Sequence, residues 1–153
     1  MTELTSEQTK YLIEKSQSTY LSVMKNATIA FRLNPDYHTY RKSSPFKESC
    51  RVLSWFIHYL AKNELNVPDK DNEIYQCEFI HAPGTFSHGA HHFLNRIYGK
   101  YVDSSIVQFN AKRYTFSPYA DNTKHYAKVE KIEFNSYESI REMIDYYKAS
   151  NMG

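Results

Sequence analysis

The chain has 153 residues, 41% of them hydrophobic and 24% charged, with a formal net charge of +2. These are the proportions of one soluble globular domain, long enough to bury a core without disulfide staples. Only four glycines and five prolines exclude a disordered or loop-dominated chain, while 14 tyrosines and nine phenylalanines give it a high aromatic content. No window approaches the roughly 18 consecutive apolar residues that span a bilayer, and "MTELTSEQTK" lacks a basic segment followed by an apolar one. A cytoplasmic location with no membrane partner is expected.

The first helix is predicted from Ser6 to about Leu33. Thr5 and Gln8 are spaced as a capping box, and Asn34-Pro35 ends the helix because the residue before proline is driven out of the α region. A second helix is predicted from Ser44-Pro45, with Phe46, Cys50, Leu53, Ile57 and Leu60 forming one apolar stripe. The loop "NELNVPDKDN" leads into "EIYQCEFIH", where Tyr75, Cys77, Phe79 and His81 share one face of a strand. Cys50 and Cys77 form no CxxC pair and read as reduced, buried thiols.

After "APGT" a third helix is predicted over 85–101. The runs "SSIVQFNAKRYTFS" and "KHYAKVEKIEF" then read as a hairpin around "PYADNT", each run with one phase change that a β-bulge would explain. A last helix carries the stripe Tyr137, Ile140, Ile144 and Tyr147, with Asn135 and Glu138 spaced as a capping box. The order α-α-β-α-β-β-α favours a single α+β domain over a doubly wound α/β fold. Its expected sheet has three mostly antiparallel strands, at about 73–81, 105–117 and 124–134, with helices packed on one face.

"HGAHH", residues 88–92, concentrates three of the seven histidines, with His81 just upstream. On a helix turning about 100° per residue, His88, His91, His92 and Asn95 fall opposite the stripe of Phe86, Ala90, Phe93, Leu94, Ile97 and Tyr101. They would then face water, a cleft or a partner. His88 and His92 have the i, i+4 spacing of a helical metal pair, but no glutamate lies between them and the carboxylates nearest in sequence, Glu78 and Asp103, stand ten residues before and eleven after the pair, so neither a metal nor another cofactor is expected.

Charge points elsewhere. Between His81 and Lys131 seven lysines and arginines stand against three acids, an excess of four in a chain whose total is +2. Histidines titrate near neutrality and can move protons in phosphodiester chemistry, and Lys or Arg can hold the phosphate. The expected function is binding of a phosphate-bearing ligand, a nucleotide or RNA, with or without metal-independent cleavage. His88, His92, His91 and His81 would be catalytic, and Asn95, Arg96, Lys100, Lys112, Arg113 and Tyr114 would bind the ligand.

The alternative is a small interaction protein of the kind carried by phages and mobile elements, inhibiting a larger host protein through a tyrosine-rich surface. The two-histidine phosphodiesterase pair, the Walker loop, GxGxxG, GxSxG and paired-CxxC patterns are all absent.

Overall fold

A computed structural model of the chain describes residues 2–80, 90–111 and 114–151. His81, His88, Lys112 and Arg113 therefore lie outside the described residues. The fold is α+β with an antiparallel sheet, but that sheet has four strands where three were expected.

Helix α1 (Ser6–Val23) opens on the expected capping box: the Gln8 amide donates to Thr5 Oγ1 at 3.0 Å and the Thr5 amide to Gln8 Oε1 at 2.9 Å. The single helix expected to run to Leu33 is instead interrupted. Asn26 accepts from the amides of Thr28 and Ile29 and so starts a new helix, α2 (Ala27–Leu33), because an asparagine side chain satisfies first-turn amides better than it tolerates a helix interior. Asn34, held before proline, is extended at φ −153° and ψ 92° and ends α2.

A short helix, α3 (Tyr37–Tyr40), and a set of turns follow, so the next long helix, α4 (Cys50–Asn63), starts six residues after Ser44 rather than there. Turns that include a left-handed Glu48 (φ 61°) occupy the interval. Helix α4 is buried almost all round because it lies between the sheet and the terminal helices: Cys50, Leu53, Ile57 and Leu60 are buried as the stripe implies, and so are Trp55, Phe56 and Tyr59. The last helix, α5 (Arg141–Asn151), buries Ile144 and Tyr147, with Ile140 in the turn before it.

The strands are β1 (Asn72–Phe79), β2 (Ala90–Ile97), β3 (Lys100–Val102) and β4 (Tyr126–Ile132), in the order β3-β2-β1-β4 with every pair antiparallel. The helix expected over 85–101 is corrected by β2 and β3. Tyr98 (φ 51°) and Gly99 (φ 78°) both take positive φ, the two-residue hairpin turn whose twist suits adjoining strands. Apolar residues at i, i+3 and i+4 had imitated a helical stripe, and the Tyr-Gly turn overrides it.

The strand expected over 105–117 is also corrected: Ser104–Phe109 is a 3₁₀ helix, and Ala111 and Tyr114 make only an isolated bridge. β4 pairs with β1 instead of with that segment. Its phase change is a bulge, because Gln76 pairs with Glu130 and Glu78 with Ala127, leaving one extra residue in β4 where Lys128 sits at φ 53°.

One large cluster joins the helices to the sheet through residues such as Leu12, Tyr20, Phe56, Ile74 and Ile97. A second, made of Phe79, Ile106 and Phe116 with Phe109, Tyr114 and Tyr126 against it, packs the 3₁₀ segment and the following loop beside the end of β1. No described helix is long and apolar enough to cross a membrane.

Candidate active site

Because the histidine segment is a strand, successive side chains leave it in opposite directions and the expected cluster divides. His91 is exposed, with its Nε2 3.2 Å from Gln76 Oε1. His92 has no solvent exposure at all. Across the β1–β2 ladder it sits opposite Cys77, and its ring packs edge-on to Phe79 and Phe109 at centroid distances of 5.7 and 5.1 Å.

A fully buried imidazole needs partners, and His92 has strong ones. Its Nε2 lies 2.7 Å from Oδ2 of Asp103, the residue that follows β3 and is itself 4% exposed. Tyr126 at the start of β4 donates its hydroxyl to the same oxygen at 2.7 Å, and Ser105 donates to Oδ1 at 3.4 Å. Burial alone would lower the basicity of His92, but the Asp103 charge, its hydrogen bond and the Cys50 thiol outweigh that and push the pKa up to about 10. His92 is thus an imidazolium through the neutral range. The same burial and the Asp103 charge push the Tyr126 hydroxyl upward, so it stays a proton donor.

The third member comes from the far side of the core. Cys50 is the first residue of α4 and is 9% exposed. With Nε2 committed to Asp103, His92 Nδ1 is buried and has no hydrogen-bond partner among the described residues, while Cys50 is one of the groups whose influence raises the basicity of the ring.

Ser49, the residue before the helix, turns its hydroxyl to the Phe46 carbonyl at 2.5 Å and does not cap the first turn. The first turn of α4, which begins at Cys50, therefore has no side-chain cap. Asn95 Nδ2 donates to the Ser54 carbonyl at 2.8 Å, fastening α4 to β2 three residues along from His92.

A cleft of about 540 Å³ is walled by Lys47 and Glu48 just before Cys50, by Ala90 and His91 just before His92, and by Tyr40, Gln108 and Phe109. Gln108 Oε1 accepts the Glu48 amide at 3.1 Å, tying the 3₁₀ segment to the turn before Cys50.

The described residues expected to bind the ligand, Asn95, Arg96, Lys100 and Tyr114, do not converge on this place. Asn95 is buried and structural. Arg96 lies over the rings of Tyr75 and Tyr101, donates to the Tyr75 hydroxyl at 3.2 Å and to the Gly99 carbonyl at 3.3 Å, and so braces the hairpin. Tyr114 packs against Phe116 in the smaller cluster. Lys100 lines a different cleft, of about 520 Å³, with Tyr101, Asp103, Tyr119 and Tyr126.

Among the described residues no group of three His, Cys, Asp or Glu side chains could hold a metal ion. No family model, curated protein or solved structure matches the chain. Of the three residues brought together here, sequence reasoning had marked only His92 as catalytic. By sequence Cys50 reads as a core thiol because it sits on the apolar stripe of a helix expected from Ser44-Pro45, and only the structure sets it at a helix start.

Proposed function

We propose that the protein is a cysteine-dependent acyl-transfer enzyme, a hydrolase or transferase acting on an amide, ester or thioester carbonyl, with Cys50 as nucleophile, His92 as acid and base, and Asp103 as the residue that orients His92. The observation that carries this reading is the buried His92, held by Asp103 on Nε2 with its Nδ1 buried and unpartnered among the described residues, in a ring whose basicity Cys50 helps to raise. A nucleophile, a base within its reach and a third group fixing the base are the recurring parts of such sites on unrelated folds.

The protonation state sets the order of events. In the proposed order the Cys50 sulfur attacks as thiolate while His92 is held as an imidazolium by Asp103. The S–C bond forms and the carbonyl oxygen becomes an oxyanion; as the tetrahedral species collapses, the bond to the leaving group breaks and His92 Nδ1 gives that group its proton. The neutral imidazole then takes a proton from water or from an acceptor amine as it attacks the thioester, and the thiolate and imidazolium are restored. Asp103 keeps its charge throughout and fixes the ring through Nε2.

The phosphate-ligand reading drew its force from histidines standing opposite a helical stripe. With that helix replaced by strands and His92 turned into the core, the acyl-transfer reading has the stronger support.

The test is reaction with p-nitrophenyl acetate, followed by intact-mass and peptide mapping. A burst of nitrophenolate and one acetyl group on Cys50 are expected, both absent in Cys50→Ala and slowed about tenfold or more in Asp103→Asn. Acetylation elsewhere, or a burst that survives Cys50→Ala, overturns the proposal.

A further inference from the structure

The cleft of about 540 Å³ beside the turn before α4 is within the size range of small-molecule sites, and neither Cys50 nor His92 lines it. Its walls hold two side-chain amides, Gln108 and Asn110, and the backbone orients both in the same way. Gln108 Oε1 accepts the Glu48 N–H at 3.1 Å, and Asn110 Oδ1 accepts the Phe116 N–H at 2.6 Å. Reversing either amide would set N–H against N–H, so each carbonyl oxygen is committed and each NH₂ group needs an acceptor of its own. Among the described residues neither has one: Gln108 Nε2 is buried without a partner, and Asn110, an exposed residue, donates no side-chain hydrogen bond.

Two more donors share these walls. Lys47 holds its ammonium 3.6 Å from the centre of the Tyr40 ring and makes no ion pair among the described residues, and the Ser44 hydroxyl makes no hydrogen bond among them. From Tyr40 to Glu48 the chain carries Arg41, Lys42 and Lys47 against Glu48 as its one acid, and Arg41 and Lys42 are exposed. Hydrogen bonds to an ionised acceptor are roughly twice as strong as neutral ones, so an anion is the partner that this set of donors lacks. A phosphate group presents three strong acceptor oxygens, more than a carboxylate has, and matches the number of donors better.

We propose that this cleft binds a phosphate-bearing small molecule, with Lys47, Ser44, Gln108 and Asn110 donating to the phosphate and the Tyr40 and Phe109 rings walling the rest of the ligand. The inference does not rest on the acyl-transfer reading. It moves the phosphate from the histidine segment, where the sequence suggested it, to the turn before α4 and the end of the Ser104–Phe109 segment.

The probe is inorganic phosphate, titrated at constant ionic strength into the isotope-labelled full chain. The side-chain amide resonances of Gln108 and Asn110 are followed by NMR, since a general ionic effect would not single them out. Gln108→Glu and Asn110→Asp each keep an oxygen for the backbone N–H that pins the native amide, and so guard the local fold, while replacing a donor with a charge that repels the anion. Lys47→Gln removes the cation. In each variant binding is followed through whichever amide remains.

A saturable shift of both amides is expected in the wild type, with affinity weaker by about tenfold or more in each variant, the effect of losing one hydrogen bond to a charged partner. Acetate, titrated in the same way, should bind more weakly than phosphate. The proposal is overturned if the wild type shows no saturable shift up to about 20 mM phosphate. It is equally overturned if all the variants bind phosphate as the wild type does, or if acetate binds as tightly. None of these outcomes bears on acetylation of Cys50, which is tested separately.

Discussion

His92 and Asp103 form an ion pair over 2.7 Å in which neither side chain meets solvent, the imidazole being wholly buried and the carboxylate 3% exposed. Taking two charges out of water is costly, and the attraction between them repays it only with good geometry and further hydrogen bonds, which Tyr126 and Ser105 supply to the carboxylate. Such a pair stabilises little beyond what an apolar pair of similar volume would.

The pair makes stability depend on pH. His92 binds its proton with a pKa near 10 when folded and near 6.5 when unfolded, so its contribution is complete below about pH 6.5 and is lost as pH rises towards 10. Urea midpoints should therefore fall from pH 6.5 to 10, and Asp103→Asn should flatten that slope. Asp103→Ala, which strands the histidine, should cost about 3–5 kcal/mol. A midpoint that is constant or rises over this range contradicts the pairing.

The two cysteines should differ in reactivity. Burial and the Asp103 charge push the Cys77 thiol up to about 12, which leaves it almost wholly protonated at neutral pH. At pH 6 to 7, iodoacetamide should label Cys50 and leave Cys77 untouched in the folded protein; Cys77→Ala should keep the fast label and Cys50→Ala should lose it. Equal labelling of both thiols would count against Cys50 as the nucleophile.

His58 provides the opposite titration. It is buried in α4, its Nδ1 is 2.7 Å from the Tyr137 hydroxyl, and its ring stacks on Phe134; burial lowers its pKa to about 4. The folded state binds the proton less well than the unfolded chain, so stability is complete above about pH 6.5 and declines as pH falls towards 4. His58→Phe should remove that acid limb of the stability curve. If the variant keeps the same acid decline in urea titrations, the limb belongs to other groups.

Asn95 was expected to bind ligand and instead joins β2 to the Ser54 carbonyl of α4. Asn95→Ala should lower stability by about 1–3 kcal/mol by leaving a buried carbonyl unpaired. Calorimetric unfolding measures this. A variant as stable as wild type would free Asn95 from its structural role.

The sequence by itself determined the class of fold and most of its local punctuation. The capping box at Thr5, the stop at Asn34-Pro35, the buried stripe Cys50-Leu53-Ile57-Leu60, the strand at 73–81 and the phase change in β4 all follow from periodicities and capping chemistry that act over a few residues. The identity of the 85–101 segment escaped it, because apolar residues three and four apart fit a helix as well as two strands around a Tyr-Gly turn. Only the tertiary structure decided the site. His92 and Asp103 are 11 residues apart in the chain, and their meeting depends on the β2–β3 hairpin, which returns Asp103 to the side of His92. That hairpin also turned the most visible histidine from a wet surface into the core, where a buried carboxylate makes it a cation.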